Sequence, residues 1–183
     1  VFKAIDDIYE QMFTILNDPL KFSYWKTKQR GFHIREETVL TSNMFPWAFI
    51  EWGSVSSVNW FQSPNNFKYV ATFPLVIMTF ADKADQTALV FNKDEGNTGT
   101  SKNKNPGIGD IVQDVGIAYW DDFHNNRFGI TQHPGVAEVE DWTISNIGTP
   151  TILSIQTILA HPWIRGTQID FSFTVQERTD LDL

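Results

Sequence analysis

FKYVATFPLVIMTF, residues 67–80, decides the fold of this chain. Read as a strand, one face carries Phe67, Tyr69, Ala71, Phe73, Leu75 and Ile77. The other carries Val70, Val76, Met78 and Phe80 among Lys68, Thr72 and Pro74, so the strand is apolar on both faces and expected to be covered on both. Unbroken, it reaches ~45 Å, long enough to project beyond its own domain or to pair with another subunit. Pro74 lacks an N–H, so a bulge or an unpaired edge is expected beside it.

Around this strand the pattern is α+β. Ile5, Ile8, Met12, Ile15 and Leu16 recur at helical spacing, with Asp6, Asp7 and Glu10 near the positive end of the dipole, and Asn17-Asp18-Pro19 stops the helix. Residues 20–46 are mixed: Phe22, Tyr24 and Trp25 stand among Lys21, Lys26, Lys28 and Arg30, the most basic part of an acidic chain, with a weak strand over 33–41. After Pro46, WAFIEWG (47–53) predicts a short strand, expected to lie against the long one across the turn signal Ser63-Pro64-Asn65-Asn66.

NKDEGNTGTSKNKNPG (92–107) has no large apolar side chain and predicts a long polar loop with no share in a core. Asp110 with Gln113 predicts the cap of a second helix, striped by Ile111, Val112, Val115, Ala118 and Tyr119 and ending near 123–126. Three strands are expected to follow: 136–144, 151–159 and 168–177. In the last, Ile169, Phe171, Phe173 and Val175 alternate with polar residues, as in a strand that covers a core on one face only. The expected architecture is an antiparallel or mixed sheet packed by two helices, in one domain spanning 1–183.

Composition narrows the chemistry. With 14 basic and 22 acidic side chains the net charge is −8, against a general nucleic-acid-binding surface. Zero cysteines exclude disulfides, thiolate catalysis and cysteine-ligated metals. No apolar segment nears the ~20 residues of a membrane span, and Lys3, Asp6 and Asp7 do not open a signal peptide, so a soluble cytoplasmic protein, or part of something assembled there, is expected. His33, His124, His133 and His161 fall in no metal-binding motif, although Asp121 or Asp122 stands near His124 and His133; His161-Pro162 reads as a turn that caps backbone groups. Glu138, Glu140 and Asp141 lie along one strand, a spacing that defines no catalytic cleft and suits an acidic surface or an ion pair with a neighbouring subunit. The glycines form no phosphate-binding turn, and no serine sits in a nucleophile elbow. Trp47, Trp52, Trp60 and Phe61 offer an aromatic platform, for which packing is the commoner role. With 15 Phe and 7 Trp, some aromatic surface is expected in a subunit interface, and the basic 21–30 segment complements Glu138, Glu140 and Asp141 of a neighbour in head-to-tail fashion.

The opening helix, WAFIEWG, the long strand, the helix after Asp110 and the final segment through HPWIRGTQIDFSFTVQE together resemble the tail terminator proteins of long-tailed bacteriophages and related head–tail completion proteins. The likeness lies in the order and texture of elements over most of the chain. It implies a structural virion protein of the phage tail or neck, assembled in the host cytoplasm, without enzymatic activity, cofactor or metal. It also implies a hexameric ring at the head-proximal end of the tail tube that stops polymerisation and joins the tube protein to the head connector. DNA would pass through the channel without specific binding. In that picture Asn92, Lys93, Asp94, Glu95, Lys102 and Lys104 contact the adjoining ring, and Trp47, Trp52, Tyr69, Val76, Met78 and Phe80 contact the next subunit. The alternatives are a neck, adaptor or tail tube subunit, or a carbohydrate- or ligand-binding module built on the tryptophans.

Overall fold

The structure is a computed structural model that describes residues 2–31, 40–60, 65–80, 107–151, 153–178 and 180. The described residues form an α+β fold with a mixed six-stranded sheet. Its strands are β1 (Thr27–Arg30), β2 (Trp47–Ile50), β3 (Ser54–Trp60), β4 (Asn66–Phe80), β5 (Ala137–Gly148) and β6 (Ile164–Arg178), with helices α1 (Lys3–Asn17), α2 (Ile108–Asn126) and α3 (Leu153–Leu159).

The long strand is the centre of the sheet. β4 pairs antiparallel with β6 from Asn66↔Arg178 to Phe80↔Ile164. Its other edge is divided between two partners: β3 pairs over Phe67 to Thr72 and β2 over Leu75 to Met78. Pro74 falls in the gap between them, where its carbonyl accepts the Glu51 N–H at 3.0 Å. A residue's N–H and C=O point to the same side of a strand, so the donor that Pro74 lacks faces this gap. The expected unpaired edge is there. Gly53 makes the close passage beside it possible, since a Cβ would fall 1.3 Å from the Thr72 carbonyl oxygen. Because both edges of β4 are taken within the chain, the expectation that it extends a neighbour's sheet is corrected. The outer positions belong to β1, parallel to β2, and to β5, antiparallel to β6.

Residues in register share a face of the sheet. Phe67, Tyr69, Phe73, Leu75 and Ile77 of β4 lie with Ile169, Phe171, Phe173 and Val175 of β6 on the face covered by α1 and α2, and all are buried. The opposite face is covered at one end only. There α3 packs Ile155 and Ile158 on Trp47, Phe49, Val76, Met78 and Ile164.

Three local expectations are corrected. The strand predicted over 151–159 is α3, because Ile155, Ile158 and Leu159 follow helical rather than alternate spacing. The strand predicted over 47–53 ends at Ile50, and β3, which the sequence does not announce, follows it. Asp110 is the third residue of α2 rather than its cap, and its carboxylate accepts the Gly107 N–H at 3.0 Å. The strand expected over 33–41 has residues 33–39 outside the described residues, and Ser42–Met44 is a 3-10 turn.

Candidate functional site

Of the six side chains expected at a subunit interface, four belong to the interior. Trp47, Tyr69, Val76 and Met78 are at most 3% exposed within the single chain. A side chain with no accessible surface offers nothing to a neighbour, so these four leave the candidate set. Phe80 is half-buried beside Phe45 and His161, and Trp52 is 46% exposed. Trp47 is inside and Trp52 outside, so these two do not share a surface; the Trp60 side chain and Phe61 lie outside the described residues. Asn92, Lys93, Asp94, Glu95, Lys102 and Lys104 lie outside the described residues.

The histidines are dispersed. His124 is exposed on α2, where its Nδ1 lies 2.8 Å from the Trp120 carbonyl and its ring lies tilted against Trp120 at 4.0 Å. His133 faces Asp7 at 3.4 Å, and His161 accepts the Trp163 N–H, the capping role expected of it. His33 lies outside the described residues. Among the described residues no group of three His, Asp or Glu side chains is arranged to hold a metal ion. A cleft of about 410 Å³ at the end of α1, lined by Gln11, Thr14, Ile15, Asn17, Asp18, Lys21 and Asp122, contains neither His124 nor His133. No described helix is long and apolar enough to cross a membrane.

Surface features gather instead on the sheet. Beyond α3, the second face is a polar plane four strands wide, where Ser54, Thr72, Ser172 and Thr143 stand in one register row. Thr72 and Ser172 share a hydrogen bond of 2.9 Å, and the Ser172 hydroxyl donates to Ser145 at 3.2 Å. These bonds satisfy the hydroxyls side to side and hold the plane in one conformation. Its β5 border is acidic. Glu138 pairs in register with Gln176 and Asp141 with Thr174, because a bulge at Glu140 restores Asp141 to the polar face. Glu140 reaches across β6 to an ion pair with Lys68 of its own chain, so it is engaged internally rather than left for a neighbour.

The basic segment stands at the other side. Tyr24 and Trp25 bury their rings, and the Tyr24 hydroxyl donates to Asp114 of α2 at 3.0 Å, which fixes the chain entering β1. Arg30 is held by Glu10 and lies over the Phe13 ring. Lys26 and Lys28 make no ion pair with a described residue. The described chain therefore carries a basic strand at one border of its sheet and an acidic strand at the other. Sequence reasoning identified both charge groups but had no means of placing them on opposite borders of one sheet, which depends on the β4–β6 pairing.

Burial lifts the Asp114 carboxyl from 3.8 to about 6, the Tyr24 hydrogen bond pulls it back, and Asp110 adds to the rise. A carboxyl raised in the folded state contributes stability that is complete below its unfolded value and lost as pH rises through the folded one. Asp114→Asn, which keeps an acceptor for Tyr24, is therefore expected to gain stability relative to wild type as pH rises from about 4 to about 7. Urea unfolding across that range measures the difference. A difference that does not change with pH contradicts this account.

No protein family model matches the chain, and no curated protein matches it.

Proposed function

We propose that the protein is a structural ring subunit of the tail terminator kind, which closes the head-proximal end of a bacteriophage tail tube and joins it to the head connector. The observation that carries this reading is the unequal cover of the sheet: α1 and α2 bury β4 and β6 on one face, while α3 covers the other at one end only and leaves a polar plane bordered by the acidic β5, with the basic β1 at the far border of the same sheet. Unlike surfaces on opposite sides of one subunit suit heterologous, head-to-tail contact, which makes a closed ring when the rotation closes. The net charge of −8 suits a channel through which DNA passes, since like charge suppresses sticking. In this reading the ring is a hexamer of the virion tail, and 92–107 contacts the adjoining tube or connector.

Imaging of the purified protein tests the reading. Isolated six-fold rings support a terminator, whereas long tubes support a tail tube subunit and reject it. Shortening the polar segment within 92–107 tests the docking role. Removal of this segment is expected to leave rings intact and to lower tail–connector joining in an assembly assay at least tenfold, about 1.4 kcal/mol. Unchanged joining rejects that role.

A further inference from the structure

We infer that the open polar plane of one copy receives the basic β1 border of a second copy, an inference that rests on the ring reading above. The donor side is small and defined: Lys26 is exposed, Lys28 is half-buried, and neither is ion-paired with a described residue. The receiving side carries Glu138 and Asp141, both exposed and without a described cationic partner, beside the Lys68–Glu140 pair and Asp170. The sheet order β1-β2-β4-β6-β5 separates the two sides by four strand spacings, roughly 19 Å at about 4.8 Å each. No side chain spans that distance, so the two groups do not neutralise one another within a copy. Between copies they do.

The geometry favours an edge on a face over a continuous sheet. In register, Lys28 stands with Ala48 on the helix-covered face, whereas Glu138 and Asp141 stand on the open one. A coplanar extension places these charges on opposite sides, while a border turned onto the plane brings them together. β1 has four residues and β5 carries two bulges, so neither border offers a long regular ladder to an added strand. Side-chain charge, with the hydroxyl plane beneath it, selects the partner. Such selection by opposite charge also disfavours pairing of like borders.

Charge exchange tests this. Lys26→Glu with Lys28→Glu, and separately Glu138→Lys with Asp141→Lys, are each expected to convert the wild-type oligomer to monomer in native mass measurement. An equimolar mixture of the two variants is expected to restore the wild-type mass, because each reversed border meets a reversed plane. Circular dichroism reports whether each variant is folded. Should a reversal prevent folding, the neutral pairs Lys26→Gln with Lys28→Gln and Glu138→Gln with Asp141→Gln replace it, with an expected loss of affinity of roughly tenfold or more. Folded variants that keep the wild-type mass, or a mixture that stays monomeric, overturn this interface and leave the ring reading standing. A wild-type protein that is itself monomeric overturns both.

Discussion

Phe171→Ala is expected to lower the unfolding free energy by about 3–5 kcal/mol, since truncation of a buried aromatic loses its transfer energy and leaves a cavity. Phe171 is fully buried in the middle of β6, in register with Phe73 of β4 and Ile144 of β5. Its ring meets Tyr119 of α2 edge-on at 4.8 Å and stacks with Trp142 of β5 at 6.0 Å. It is therefore a point where the sheet holds its covering helix. Collapse around the gap is limited because Tyr119 is tied through its hydroxyl to the Met12 carbonyl of α1 at 3.1 Å. For a chain of 183 residues the loss corresponds to a melting temperature lower by roughly 6–20 °C. Thr143→Ala, on the open face of the same sheet, is expected to stay within about 0.5 kcal/mol of wild type. Denaturant unfolding of the two variants is the check, and equal small losses contradict the placement of the core.

Removal of the Glu177 carboxylate is expected to cost about as much, although no apolar surface is involved. Glu177 is 1% exposed near the end of β6 and accepts the Lys3 N–H at 2.8 Å, the Ala4 N–H at 3.4 Å and the Tyr69 hydroxyl at 2.8 Å. The residue preceding α1, Phe2, provides no side-chain cap, so a carboxylate from the far end of the chain satisfies the helix N-terminus and complements its dipole. Glu177→Ala leaves these buried donors without that partner, at a cost of about 3–5 kcal/mol. Glu177→Gln retains one acceptor oxygen and is expected to lose roughly half as much. Hydrogen exchange separates this mechanism from general loosening, because protection in the first turn of α1 falls before protection in β4. A Glu177→Ala protein within about 1 kcal/mol of wild type contradicts the capping role.

How much of this was legible in the sequence depends on how local each signal is. α1, α2 and β6 follow from apolar spacing that a short window contains, and the two-sided run over 67–80 is a strand buried along one face and, on the other, only at Val76 and Met78 under α3, so the expected cover of both faces is corrected to one end. α3 reads as a strand because Leu153, Ile155 and Leu159 stand at even spacings, while the Ile155, Ile158 and Leu159 spacing fits a helix. β1, with the sequence TKQR, and β3, with SVSSVNW, carry too few apolar residues to announce themselves; both are fixed by pairing with β2 and β4. The Glu177 cap joins residues 174 apart in sequence and has no local signature. Four of the six side chains expected at a subunit interface lie inside the chain for a related reason. Aromatic richness marks burial without saying whether a chain's own elements or a neighbour provide it, and for Trp47 and Tyr69 the cover is internal. Lys26, Glu138 and Asp141 are exposed and Lys28 is half-buried, and the two charge groups lie at opposite borders of the sheet.

The proposed ring requires that this subunit close on copies of itself. Native mass measurement of the purified full chain, over micromolar concentrations near physiological ionic strength, tests it most directly. The expected result is a single discrete species of six subunits, each of 21.0 kDa. A protein that stays monomeric across that range, or that grows into species of no fixed size, contradicts it.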